Sequence, residues 1–192
     1  MNIREISLIT LGNSKVGKSS YILRYTDNRF SMHISTTIGM ECMHKYETLE
    51  SGERVKVIIF DTNGQERFRS ISSNMIKRAD GVLLFYDITD RDSFESVKDW
   101  MLDIYNIKAE NFPIVLIGNK IDKEKERVVK KEEGEAEALK YNKKFFEISC
   151  KNDINIINPI LHLISKISDN EHGKEKIRLG PKEKNDKKCC QK

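Results

Sequence analysis

The side chains best suited to chemistry gather first in "GNSKVGKSS", Gly12 to Ser20, where Lys18 offers a cation and Ser19 a hydroxyl just after a glycine. Gly12, four residues, then Gly17-Lys18-Ser19 fits the G-x-x-x-x-G-K-[ST] spacing of a phosphate-binding loop. The backbone N–H groups of Ser14, Lys15, Val16, Gly17, Lys18, Ser19 and Ser20 would then stand at a helix N-terminus. There they can point at a β-phosphate, and the helix dipole favours negative charge. Lys18 would reach the β- and γ-phosphates, and Ser19 would offer an oxygen to Mg²⁺, a cation that prefers hard ligands. The motif implies a nucleotide without saying which base it carries or where its phosphate goes.

Three further clusters narrow the choice. In "FDTNGQERFRS", Asp61 can bind the metal directly or through water, Gly64 lets the backbone approach a γ-phosphate, and Gln65 can orient an attacking water. In "IGNKID", the Asp122 carboxylate can accept two N–H donors from the edge of guanine, whereas adenine would leave it poorly paired. Asn119 and Lys120 would brace that loop and flank the base. In "ISCKN", the backbone N–H groups of Ser149, Cys150 and Lys151 can meet the guanine carbonyl oxygen. Each cluster falls where an apolar run ends, and together they imply guanine-nucleotide binding.

The elements that must position these residues are legible as well. Apolar runs at 6–11, 55–60, 82–87, 114–118 and 143–149 read as strands of a parallel sheet covered on both faces. Helical spacing lies at Gly17–Arg24, Asp92–Ile107 with Asp90 as cap, Glu132–Tyr141 and Ile154–Ile167. "YETLESGERVKVIIF" reads as a hairpin turning at Ser51-Gly52, which adds one antiparallel edge strand. The expected architecture is a doubly wound α/β sheet with its ligand at the carboxyl ends of the strands.

Composition limits the remaining choices. The net charge of +4 resides in the tail: residues 171–192 hold eight Lys/Arg and four Asp/Glu, so the rest of the chain, with 26 of each, is neutral. A basic tail on a neutral domain argues against nucleic acid as partner and suits an anionic membrane surface. The four cysteines lack zinc or disulfide-framework spacing, and no secretory signal or membrane-spanning run is present, so a cytosolic chain is expected. The expected organisation is one domain over 1–168 and a disordered tail over 169–192.

GNSKVGKS, Thr37 in "STTIG", DTNGQE, NKID and SCK together resemble the small GTPases of the Ras superfamily. "DTNGQERFRSISS", "LLFYDIT" and the terminal "CCQK" narrow the resemblance to the Rab family. It implies a P-loop G domain of six strands and five helices that cycles between GTP and GDP with Mg²⁺. It further implies that Thr37 binds Mg²⁺ with GTP present, that Phe30 stacks on the guanine, and that 31–45 and 61–79 are switch segments. Partners implied are an exchange factor, a GTPase-activating protein, effectors and a prenyl-binding escort protein. Cys189 and Cys190 would carry a double lipid anchor to the cytoplasmic face of an intracellular membrane, since one chain alone binds marginally.

The chain also departs from that family. Asn63 stands where alanine is usual, and Lys15 where a small residue is usual. Cys42, Phe60 and Met75 replace the usual aromatic, tryptophan and tyrosine or phenylalanine of the patch that Rab effectors read. A Ras- or Rho-like signalling GTPase, a P-loop kinase and a GTP-binding scaffold with little hydrolysis remain the alternatives at this level.

Overall fold

The structure, a computed structural model, describes residues 3–31, 40–49, 51–62 and 69–178. Six strands form one sheet: β1 (Arg4–Leu11), β2 (Met40–Thr48), β3 (Arg54–Thr62), β4 (Gly81–Asp87), β5 (Ile114–Asn119) and β6 (Lys144–Ile148). Their order across the sheet is β2-β3-β1-β4-β5-β6. All pairings are parallel except β2 with β3, the expected hairpin, which runs from Met40 opposite Thr62 to Thr48 opposite Arg54. Its turn is closed by Gly52 N–H donating to the Leu49 carbonyl at 2.8 Å.

The alternation of side chains along each strand divides the interior into two cores. Ile6 and Leu8 of β1 and Leu83 and Phe85 of β4 pack on one face beneath α1 (Lys18–Asp27) and α6 (Asn158–Arg178). Ile9 and Leu11, with Val82, Leu84 and Tyr86, pack on the other. That second face is covered by α2 (Arg69–Arg78), α3 (Arg91–Glu95), α4 (Val97–Tyr105) and α5 (Lys131–Lys140). Every residue of β4 and β5 is buried, as a doubly covered strand requires. Each fully buried aliphatic side chain contributes about 1.5–3 kcal/mol.

The helices depart from expectation in four places. The helix expected over 92–107 is divided in two at Ser96, so six α-helical segments are present among the described residues. The Ser96 hydroxyl bonds back to the Asp92 carbonyl at 2.8 Å, a contact that bends helices. Asp90 does cap α3, accepting from the N–H groups of Asp92 and Ser93. Helix α2 has no counterpart in the helical spacing of the sequence because "RSISSNMIKR" is mostly polar, yet Ile76 on it is buried. Helix α6 starts at Asn158, not Ile154, because Asp153 and Asn155 hold positive φ (55° and 59°) and Pro159 suits only a first turn. It also continues past Ser168, where the sequence reading set the start of a disordered tail, as far as Arg178. No described helix is long and apolar enough to cross a membrane.

The carboxyl ends of β1, β3, β5 and β6 lie along one edge of the sheet. The loops that follow them carry the four clusters read from the sequence. Strand β1 sits between β3 and β4, and α1 and α2, the helices that follow β1 and β3, pack on opposite faces of the sheet. The tip of β1 is therefore the topological switch point at which a doubly wound sheet places its ligand.

Candidate functional site

Two glycines set the path of the loop that leaves β1. Gly12 turns with φ of 130°, and a Cβ there would strike the Phe85 carbonyl on β4. Gly17 has φ of 101°, and a Cβ there would strike the Asn119 amide. Both positions therefore require glycine. Lys15 occupies the left-handed region with a full side chain, at φ 65° and exposed, which costs about 1–2 kcal/mol. Gly17 is also the N-cap of α1, and no side chain caps that first turn. A helix start of this kind supplies N–H donors to an anion.

Lys18 is buried, and its ammonium donates to the carbonyls of Gly12 at 2.8 Å and Asn13 at 2.7 Å. Burial pulls its pKa down to about 8, opposed by the nearby Asp61 carboxylate. A phosphate beside this ammonium would favour the charged form again. Asp61 is itself buried at the end of β3, within 3.5 Å of the Thr10 hydroxyl, which also donates to the Phe60 carbonyl. The Thr62 hydroxyl donates to the Thr10 carbonyl at 2.6 Å, so the tips of β1 and β3 are tied through side chains. Among the described residues no group of three or more His, Cys, Asp or Glu could enclose a metal. One carboxylate, Asp61, and one hydroxyl, Ser19, are hard oxygen donors that suit Mg²⁺ if phosphate oxygens and water complete its shell.

The loops after β5 and β6 form the other wall. Asn119 is buried, and its Nδ2 donates to the Val16 carbonyl at 2.8 Å while its Oδ1 accepts from Lys120 N–H at 2.7 Å. It thus braces both its own loop and the phosphate loop. Lys120 is left-handed at φ 71°, and its ammonium pairs with Asp87 at 2.5 Å. The other Asp87 oxygen accepts from Thr89 N–H and hydroxyl at 2.9 and 2.8 Å. Asp122, half-buried, accepts from the Ser149 hydroxyl at 2.6 Å.

The β6 loop uses part of its own donor set. Ser149 N–H donates to the Ile154 carbonyl at 3.1 Å, and Asn152 N–H donates to the Ser149 hydroxyl at 3.0 Å. Arg24 on α1 grips this loop, donating to the Cys150 carbonyl at 2.8 Å and the Lys151 carbonyl at 3.2 Å. The Cys150 thiol lies 3.5 Å from Asn119 Oδ1, and burial pushes its pKa up to about 12, so it is an inert packing group. Phe30 is half-buried against the core on the α1 side.

The phosphate loop, Asp61, the Asn119–Asp122 loop and the Ser149–Lys151 loop are therefore brought to one edge. Thr37, Asn63, Gly64, Gln65, Cys189 and Cys190 lie outside the described residues. Sequence reasoning missed Asn13, Arg24 and Asp87. Asp87 had a signal, a carboxylate at the carboxyl end of a buried strand. Arg24 had none, because the β6-loop carbonyls it grips are 126 and 127 residues away in the chain.

Comparison with known proteins gives a consistent picture. Residues 7–169 match the model of the Ras family. The chain is 41% identical to the Ras-related protein RABE1d of Arabidopsis thaliana over 84% of this chain and 75% of that protein. It is 38% identical to the GTP-binding protein ypt2 of Schizosaccharomyces pombe over 96% of both chains. It is 41% identical to the Ras-related protein Rab-3 of Caenorhabditis elegans over 84% of this chain and 74% of that one.

Proposed function

The chain belongs to the Ras family, as a Rab-like small GTPase of vesicle traffic, and from that premise we propose how its own residues bind, read and hydrolyse the nucleotide. GTP and GDP are its ligands, and regulators and effectors of the general Rab kind are its partners. The observation that carries the assignment of residues is the Asn119–Val16 hydrogen bond, which fixes a base-reading loop against a phosphate-binding loop.

In this reading the N–H groups of Ser14 to Ser20 and the Lys18 ammonium hold the β- and γ-phosphates. Ser19 and Asp61 hold Mg²⁺, joined by Thr37 when GTP is present. The metal, when bound, supplies positive charge against the phosphate oxygens. Asp122, aligned by Ser149, accepts from the guanine edge, and Phe30 and Lys120 flank the ring. Because Ser149 and Asn152 spend their N–H groups within the loop, the guanine carbonyl falls to Cys150 and Lys151. Gly64 approaches the γ-phosphate, and Gln65 orients the attacking water.

The function has two ends: a G domain over 1–168, and a tail over 169–192 that begins as the last turns of α6 and whose Cys189 and Cys190 carry lipid. An escort protein would shield those lipids in the cytosol, and the tail would hold the domain at the cytoplasmic face of a membrane. The unusual Asn63 puts an amide two residues before Gln65 in the chain, and a small displacement of that glutamine would be costly.

Single-turnover hydrolysis of preloaded GTP tests the chemistry. Slow hydrolysis is expected in the unmodified protein, slower still in Gln65→Leu and faster in Asn63→Ala. An unchanged rate in Gln65→Leu would remove that residue from the mechanism.

A further inference from the structure

The second residue of the phosphate loop, Asn13, is held from outside the loop. Its Oδ1 accepts from the Trp100 indole N–H at 3.0 Å, and its Nδ2 donates to the Ser96 hydroxyl at 3.0 Å. Its backbone carbonyl is one of the two acceptors that position the Lys18 ammonium, at 2.7 Å. A continuous chain of hydrogen bonds therefore runs from α4 through Asn13 to the loop's lysine.

The anchor at the far end is rigid. Trp100 is only 3% exposed and packs in the same core as Ile9 and Leu11, which lead into the phosphate loop. Ser96, where α3 gives way to α4, is tied back to Asp92, so its oxygen has a fixed position from which to accept. A buried indole would be satisfied by any nearby acceptor; here the acceptor is a side chain of the loop that holds phosphate.

We propose that Trp100 is a positioning residue for nucleotide retention: through Asn13 it fixes the phosphate loop and the Lys18 ammonium, and this link slows nucleotide release. The proposal rests on the phosphate loop being the seat of the nucleotide, as assigned above. Losing one hydrogen bond of this kind is worth about a 3- to 10-fold change in an equilibrium or rate.

The test measures release of fluorescently labelled GDP, with Mg²⁺ present, from the full chain and from Trp100→Phe, Asn13→Ala and the double variant. Each single change is expected to speed release about 3- to 10-fold, and the double variant to be no faster than the faster single one. Trp100→Phe keeps an aromatic ring in the core and removes the indole N–H, which separates the link from packing, and NMR reads the bond itself. The chain has one tryptophan, so the ¹⁵N-labelled GDP complex gives one indole N–H resonance, expected to shift in Asn13→Ala. Release from Trp100→Phe at the unmodified rate, or single effects that multiply in the double variant, would overturn the link. If Trp100→Phe fails to fold, an indole resonance unmoved in Asn13→Ala overturns it instead. Failure of the unmodified protein to bind GDP would strike the site assignment and not this link.

Discussion

The Ser149 hydroxyl donates to Asp122 Oδ1 at 2.6 Å across the gap between the β5 and β6 loops. Ser149 is fully buried, and the same oxygen accepts from Asn152 N–H, so the hydroxyl proton is directed at the carboxylate. One oxygen of Asp122 is thereby oriented without being neutralised. Hydrogen bonds to charged groups contribute about 1.5–3 kcal/mol. Ser149→Ala is therefore expected to weaken GDP binding about tenfold or more while ATP remains excluded. Competitive binding with labelled GDP measures both. Unchanged GDP affinity would show that Asp122 needs no such support.

Asp122→Asn changes one acceptor oxygen to a donor amide. Guanine's N–H groups then face a donor, whereas the 2-carbonyl of xanthine can accept from it. The expected outcome is a preference for xanthosine over guanosine diphosphate, read in the same competition assay. Retained guanine preference would mean that another group reads the base.

Most of the site was legible in the sequence because the chemistry sits at the carboxyl ends of strands that are themselves plain. Strands β4 and β5 are continuous apolar runs, so their ends at Asp87 and Asn119 can be placed from residue types alone. What escaped is what depends on distant partners. The Trp100–Asn13 bond joins residues 87 apart in the chain, and no local pattern announces it. Helix α2 is not legible because a mostly polar segment, which among its described side chains rests Ile76 and part of Met75 on the core, has too weak a stripe to read. The extension of α6 is not legible because its residues show no apolar stripe, the signal by which a helix is read from sequence. Nothing between Ser168 and Arg178 breaks a helix outright, and Pro181 lies beyond it.

Acid stability should depend on Glu133. Its carboxylate accepts from Arg91 at 2.7 and 3.2 Å and from Lys130 N–H at 2.9 Å, at the start of α5. Arg91 foremost, and then the Lys130 N–H, hold its pKa at about 2, against an ordinary 4.5. A lowered folded-state pKa gives stabilisation that is complete above 4.5 and fades as pH falls toward 2. The pair is solvent-exposed, so screening by salt reduces the effect. Denaturant midpoints of the unmodified protein and Glu133→Gln should differ steadily from pH 7 to 5 and converge from pH 5 to 3. A difference that stays constant to pH 3 would contradict the account.

The tail gives a separate prediction. Replacing both terminal cysteines, Cys189→Ser with Cys190→Ser, removes every site for the proposed lipids while leaving the nucleotide site untouched. Cell fractionation should find the variant entirely in the cytosolic fraction, with GDP binding unchanged. Membrane association equal to that of the unmodified chain would rule out the lipid anchor.

The central claim is that the loops meeting at the tip of β1 form a site that selects guanine. Calorimetric titration of the nucleotide-depleted chain with GDP, GTP and ATP, in matched Mg²⁺, tests it most directly. The account predicts tight binding of GDP and GTP and at least a hundredfold weaker binding of ATP, because adenine leaves Asp122 without its donors (about 2.7 kcal/mol or more). Comparable affinities for ATP and GTP would contradict it.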